Sequence, residues 1–330
     1  MHFTCEYGIL IQNMIFARSV ERKMHQISLQ SATGQGGLNV RIWEPENEPK
    51  AVLQIVHGMA EHIERYDRFA RYLNQNAILV VGADTASHGK SISKNGIRGY
   101  FGPERGWDLL IQDIGSVHQT IKQSYCGIPS FLFGHSMGSF LARSYAARHG
   151  ADLDGFIFCG TAGKNPALPV AKLLARREIR KNGPQTPSKL LDKLSFGAYN
   201  KAFKPNRTAF DWLSRDEAEV DKYIADPACG FVFTAAAFRD LFDGLGEVSS
   251  VDWAAQVPKR PILLIAGDAD PVGANGKGVK QVEAWLTQTG HAVKCILYPG
   301  ARHELLNETN RVQVFEDVRA FLEGGSCGAL

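Results

Sequence analysis

The sequence predicts an α/β protein: a mostly parallel central sheet with helices on both faces, interrupted by an inserted helical cap. Three observations carry that prediction. Short apolar runs alternate with amphipathic helical stretches through the first half of the chain. Each run is apolar throughout rather than every second residue, as in strands buried on both faces. The alternation stops between Thr161 and Leu245, where helical signals, aromatic residues and prolines replace it, and it resumes at Pro261.

The elements follow in order. Gln26 to Gln30 and Leu38 to Trp43 read as short strands separated by the Gly34, Gly36, Gly37 turn. Ala51 to Val56 is an apolar strand ending at His57-Gly58, and Tyr66 to Asn74 has helical spacing at Phe69, Ala70 and Leu73. Ala77 to Gly82 is a second buried strand. Trp107 to Tyr125 is a long amphipathic helix through Leu110, Ile114, Val117 and Ile121. Pro129 to Phe133 is a strand, Met137 to Arg148 a helix, and Leu153 to Cys159 a further strand. After the cap come a strand at Pro261 to Ala266, a helix at Lys277 to Thr289, a strand at Val293 to Tyr298 and a closing helix at Asn310 to Glu323. The expected organisation is an extension over 1–24, an α/β core over 25–160 and 246–323, a helical cap or lid over 161–245, and a loose tail over 324–330.

Composition narrows the function. With 44% hydrophobic and 22% charged residues in 330, the chain has enough apolar material for a core, which excludes disorder as its main state. No apolar run approaches the roughly 20 residues of a spanning helix. A net charge of +3 is too mild to imply nucleic acid as a partner. The six cysteines are scattered without a CxxC pair, as expected for free thiols in a reducing cytoplasm. The first residues have neither the basic start nor the cleavage site of a secretory signal, and Met14 and Met24 stand as alternative starts.

The strongest chemical signal is Gly134-His135-Ser136-Met137-Gly138. It fits the G-x-S-x-G turn in which a strand bends sharply into a helix and exposes a nucleophilic serine. Glycines two before and two after keep side chains out of the crowded bend. A serine needs a base, and the base an orienting acid. Gly267-Asp268-Ala269-Asp270 follows one late strand and Gly300-Ala301-Arg302-His303 the next, both at carboxyl ends where ligand crevices form. His303 is the candidate base; Asp268 and Asp270 both lie on the right loop for the acid. Oxyanion stabilisation needs two backbone N–H donors, and Met137 and Met59, in the loop His57-Gly58-Met59-Ala60-Glu61-His62, are in position to supply them. His57 and His62 lack a carboxylate and histidine set at metal-binding spacing, so neither a metal nor a cofactor is expected.

Taken together these motifs resemble the monoacylglycerol lipase and lysophospholipase group of the α/β-hydrolase fold, which also contains the serine aminopeptidase-like hydrolases. The matching pieces are His57-Gly58-Met59-Ala60-Glu61-His62 with Arg65-Tyr66, then His88-Gly89-Lys90-Ser91, the serine turn, and the two late loops. The resemblance spans about Gln26 to Phe321. It implies Ser136 as nucleophile, Asp270 as acid, His303 as base, and oxyanion donors at Met59 and Met137. It departs at Ala86-Ser87-His88-Gly89, where the family often has Arg-Gly-His-Gly, and at Met59, often a smaller residue. It implies carboxylic-ester hydrolysis of monoacylglycerols, lysophospholipids or short-chain esters, without cofactor.

The cap adds less. Lys164 to Lys193 holds eight Lys and Arg against Glu178 and Asp192, which suits transient contact with an anionic lipid interface or simply a solvated helix face. Phe196, Tyr199, Phe203, Phe210, Trp212, Phe231, Phe233, Phe238 and Phe242 are candidates for an acyl pocket or for cap core. Arg65, Tyr66 and His135 are candidate head-group contacts, with structural hydrogen bonding the alternative. An aminopeptidase would need acidic cap residues near Ser136, for which Glu217, Glu219 and Asp221 are candidates. A thioesterase or acyltransferase would use the same triad, and a non-catalytic binding protein would have no need of it.

Overall fold

The computed structural model describes residues 24–325. Eight strands form one sheet: β1 (Met24–Gln30), β2 (Gly37–Trp43), β3 (Ala51–Val56), β4 (Ile78–Ala83), β5 (Ser130–His135), β6 (Gly155–Cys159), β7 (Ile262–Gly267) and β8 (Val293–Tyr298). Their order across the sheet is β1-β2-β4-β3-β5-β6-β7-β8. β1 and β2 form an antiparallel hairpin, and β2 is antiparallel to β4. From β4 through β8 every pairing is parallel. Parallel strands deliver their following loops to one edge of the sheet, which gathers the segments after β3, β5, β7 and β8.

The strands β3 to β7 are buried on both faces, as their composition predicts, whereas β8, at the edge of the sheet, is partly exposed and carries the exposed Lys294. Val52, Leu132 and Leu264 join one core cluster, while Leu53, Phe131, Phe133, Leu263 and Ile265 join the other. The second cluster is covered by α1 (Asp67–Asn74), entered through a 3-10 turn at Ile63–Tyr66, and by the closing helix α10 (Arg311–Gly325). The first is covered by α2 (Gly106–Ser124), α3 (Met137–His149) and α9 (Lys277–Gln288). Boundaries shift by a residue or two where backbone chemistry intervenes. Ala77 turns with a φ of 58° before β4 begins, and Pro129, which has no N–H, contributes only its carbonyl, to Val52.

Between β6 and β7 the chain forms α4 (Leu168–Asn182), α5 (Lys189–Phe196), α6 (Glu217–Ala225) and α7 (Ala235–Glu247), with no strand, and then α8 (Val251–Gln256). The helix starts are written locally. Ser188, Asp216 and Thr234 each accept a hydrogen bond from a backbone N–H of the first turn they precede. Leu168, Leu191, Phe238, Leu241 and Phe242 join the core cluster of α2 and α3, so this segment rests on the α/β layer.

The extension expected over 1–24 lies outside the described residues except for Met24. The closing helix runs on to Gly325, and the remainder of the expected tail is likewise outside them. Among the described residues no helix is long and apolar enough to cross a membrane, and Cys126, Cys159, Cys229 and Cys295 are free thiols.

Candidate active site

Ser136 stands between β5 and α3 with φ 52° and ψ −121°, a region disfavoured for any side chain. Such a conformation costs roughly 1–3 kcal/mol and persists only where the surroundings over-determine it. Here the Ser136 N–H donates to the Cys159 carbonyl (2.9 Å), and the Ser136 carbonyl accepts from the Ser139 N–H (2.8 Å) and hydroxyl (2.6 Å). The flanking glycines are steric necessities. A Cβ on Gly138 would run into the carbonyl oxygens of Val56 and His57, and one on Gly134 into the Gly138 carbonyl. The end of β3 and the start of α3 therefore touch backbone to backbone.

Of the two candidate acids, the structure brings Asp270 to His303. The His303 Nδ1–H donates to Asp270 Oδ2 at 2.9 Å, and Asp270 Oδ1 accepts from the Val272 N–H, also at 2.9 Å. Both side chains are buried. Asp268 instead accepts the Gly300 N–H (2.7 Å) and braces the loop that leads to His303. Burial lowers the His303 pKa, but the charge and hydrogen bond of Asp270 outweigh it, leaving it raised above 6.5. The His135 ring lies 4.7 Å from that of His303; burial first and the neighbouring His303 second push His135 down to about 4.

The loop after β3 is held from below. Glu61 Oε1 accepts from the Gly58 N–H (2.6 Å) and the Tyr66 hydroxyl (2.9 Å). His57 donates from Nδ1 to the Gly58 carbonyl (2.8 Å) and accepts the Thr85 N–H at Nε2 (2.8 Å). His88 accepts the Ala60 N–H at Nε2 (3.2 Å). Burial lowers the pKa of both rings, of His88 to about 3, so they act as neutral backbone braces. Arg65 makes a two-pronged contact with Glu304 (2.7 and 2.6 Å), donates to Glu61 (2.6 Å) and lies over the Tyr223 ring at 4.9 Å. One guanidinium thus joins the loop carrying Met59 to the loop carrying His303.

These parts surround a cavity of about 800 Å³. Ser136, His303, Met59, Met137 and His135 line it together. Met137 is the first residue of α3, where the amide has no partner within the helix. Arg65 and Tyr66, expected as head-group contacts, do not line this cavity; their polar ends are engaged by Glu61 and Glu304. Of the cap aromatics, Phe196, Tyr199, Phe210, Trp212, Phe231 and Phe242 line it, whereas Phe233 and Phe238 are fully buried in core and Phe203 lies under Arg302. Glu217, Glu219 and Asp221 do not line it; they pair with Arg207, with Arg68 and Lys222, and with Arg207.

Two residues the sequence does not mark, and one contact of a candidate cap aromatic, also shape the site. Glu304 lines the cavity beside His303, and its only sequence signal is adjacency. The Trp212 ring sits 5.1 Å from His303, and the Trp212 and Leu213 carbonyls accept the N–H groups of His303 (3.4 Å) and Glu304 (2.7 Å). Arg143, on α3, is fully buried, and among the described residues it has no carboxylate partner; it donates to Thr161 and Ala162 and to the Val248 carbonyl, so one side chain of the serine helix grips both ends of the 161–248 segment.

Comparison with known proteins gives the family. The family model described as serine aminopeptidase, S33 matches residues 47–310, most of the chain. A monoacylglycerol lipase of Mycolicibacterium smegmatis is 28% identical over 306 residues, covering 89% of this chain and 96% of that protein. The human monoglyceride lipase is 28% identical over 300 residues, 89% of each. A thermostable carboxyl esterase from Bacillus coagulans, solved in complex with glycerol, superposes with a TM-score of 0.88 at 33% identity, covering 93% of this chain and all of that one. The chain belongs to the serine aminopeptidase, S33 family of α/β-hydrolases, and is a hydrolase similar to the monoacylglycerol lipases.

Proposed function

We propose that the chain is a serine carboxylic-ester hydrolase acting through Ser136, His303 and Asp270. The observation that carries the reading is that Ser136 and His303 line one cavity while Asp270 holds the His303 Nδ1–H. In this mechanism His303 takes the Ser136 hydroxyl proton as the oxygen attacks the ester carbonyl. The Met59 and Met137 N–H groups stabilise the oxyanion. His303 then protonates the leaving alcohol, and water, activated by the same imidazole, releases the acid from the acyl-enzyme. Asp270 keeps the tautomer and stabilises the imidazolium.

The substrate class we favour is a monoacylglycerol, lysophospholipid or short-chain ester. A cavity of about 800 Å³ is within the usual range for a small ligand, and its lining joins the cap aromatics to a polar group of Glu61, His135, Tyr223 and Glu304 beside Ser136. That suits an apolar acyl chain and a hydroxylated head. The names of the relatives point the same way. The rim also suits transient contact with a lipid interface: Val170 and Leu194 line the cavity and are 61% and 60% exposed, beside the basic face of α4. The peptidase alternative is less favoured because Glu217, Glu219 and Asp221 are paired elsewhere, and Glu61 and Glu304 are both held by Arg65.

The test is hydrolysis of nitrophenyl esters of several chain lengths, a monoacylglycerol, a lysophospholipid, a thioester and an aminoacyl anilide by the wild type and Ser136→Ala. We expect ester turnover that falls by about 10⁴-fold or more in the variant. Turnover of the anilide alone would favour the peptidase, and of the thioester alone the thioesterase. Ester turnover unchanged in the variant would overturn Ser136, and no turnover by folded protein would favour a binding protein.

A further inference from the structure

We propose that His62, Asp226 and Cys229 form a binding site for a thiophilic divalent cation of the zinc class, which fastens the turn after α6 to the end of the loop that carries Met59. The ring nitrogen, carboxylate oxygen and thiol sulfur lie within 4.8 Å of one another. A tetrahedral zinc ion with bonds of roughly 2.0–2.3 Å holds its donors about 3–4 Å apart, so small side-chain rotations close the set. Along the chain, no carboxylate and histidine set at metal-binding spacing accompanies His62. The fold brings a carboxylate from 164 positions away, with His62 Nε2 and Asp226 Oδ2 at 2.8 Å.

The turn presents two of the donors by its own geometry. In Asp226-Pro227-Ala228-Cys229 the Cys229 N–H donates to the Asp226 carbonyl (3.0 Å), and the Ala228 N–H donates to Asp226 Oδ1 (2.8 Å). That leaves Oδ2 free to face His62. The turn already rests on the loop, since the Gly230 N–H and the Tyr223 hydroxyl both donate to the Ala60 carbonyl (2.9 and 3.1 Å). A bound ion would make that contact rigid two residues from Ala60 and three from Met59. His57 takes no part, because both its ring nitrogens are engaged by backbone.

Charge and access also favour a cation. Among the described residues, the Arg65 guanidinium is the largest charge acting on the thiol, and the carboxylates of Glu61, Asp226 and Glu304 act against it. The Asp226 side chain is 33% exposed and that of His62 11%, so an ion reaches the cluster from solvent. A nitrogen, oxygen and sulfur set selects zinc or cobalt over magnesium or calcium, which take oxygen donors. On binding, the thiol proton leaves to solvent, and the proton by which His62 Nε2 bonds Asp226 is given up there and carried on Nδ1 instead, which frees Nε2 for the ion. The His62–Asp226 hydrogen bond is exchanged for metal bonds, with water in the fourth position.

The test is titration of the full chain with Co²⁺ alone, followed by absorption. The expected result is a thiolate-to-cobalt charge-transfer band that saturates at one ion per chain and is displaced by Zn²⁺. Cys229→Ser abolishes the band while its circular dichroism and its ester turnover in chelator-treated buffer match the wild type. His62→Gln, which keeps the thiol, binds at least tenfold more weakly. The proposal is overturned by the absence of a saturable band in the wild type. It is also overturned by a band that survives Cys229→Ser, which would assign the ion to another cysteine such as the exposed Cys126, or by undiminished affinity in His62→Gln.

Discussion

Replacing Arg65 with Met removes a cation that joins the loops of Met59 and His303. The side chains of Arg65, Glu61 and Glu304 are 12%, 5% and 7% exposed, so the two carboxylates cannot recover their hydration when the guanidinium is lost. Burial alone pushes the Glu61 carboxyl up; Arg65 is the largest influence in the other direction, and the net result is a pKa lowered from 4.5 to about 2. At 1.36 kcal/mol per pKa unit this corresponds to about 3 kcal/mol of stability at neutral pH. It matches the roughly 3–5 kcal/mol lost when one partner of a buried pair is removed. The sign with pH follows. In the wild type the Glu61 contribution is present above 4.5 and is lost as pH falls through about 2. In Arg65→Met the carboxyl, now raised by burial, takes up a proton as pH falls from 7, and the variant recovers. Urea unfolding followed by circular dichroism should therefore show a loss of about 3 kcal/mol at pH 7 that narrows at pH 5. A loss under about 1 kcal/mol, or one equal at both pH values, would refute the argument, because that is the scale of an exposed pair.

Four further outcomes follow from the same structure. Asp270→Asn should lower kcat by about 10⁴-fold with little change in KM, measured on a soluble nitrophenyl ester, because the wrong His303 tautomer is then favoured. The acid limb of kcat/KM should lie above pH 6.5, since the proposed reaction needs neutral His303 and Asp270 raises its pKa; a pH profile on the same ester checks this. Gly138→Ala should cost about 1–3 kcal/mol in thermal unfolding and reduce labelling of Ser136 by a fluorophosphonate, because the added Cβ meets two backbone carbonyls. Leu173→Ser with Leu190→Ser should change stability by less than about 0.5 kcal/mol, as both are exposed, yet lower turnover of a vesicle-borne monoacylglycerol relative to a soluble ester.

Features that depend on a few neighbouring residues were legible in the sequence. Strands buried on both faces must be apolar throughout, so Ala51–Val56 and Ile262–Gly267 announce themselves within a residue or two. The bend at Ser136 needs glycine at 134 and 138 for steric reasons confined to one strand, one turn and one helix. That the loops of Ser136, Asp270 and His303 can meet follows from parallel strands that place their loops at one edge.

Choices among distant partners were decided only by the tertiary structure. Asp268 and Asp270 are equivalent by spacing, and only packing turns one to His303 and the other to Gly300. Arg65 reads as a head-group contact until Glu304, 239 positions away, arrives against it. His62 has no acidic companion until α6 delivers Asp226. Trp212 reads as one cap aromatic among many until its segment docks on the His303 loop. The physical reason is common to all four. Periodicity and local sterics act along the chain and are written in neighbouring residues. The pairing of buried charges and rings acts through space, and it exists only once the sheet has gathered its loops and the helices between β6 and β7 have closed over them.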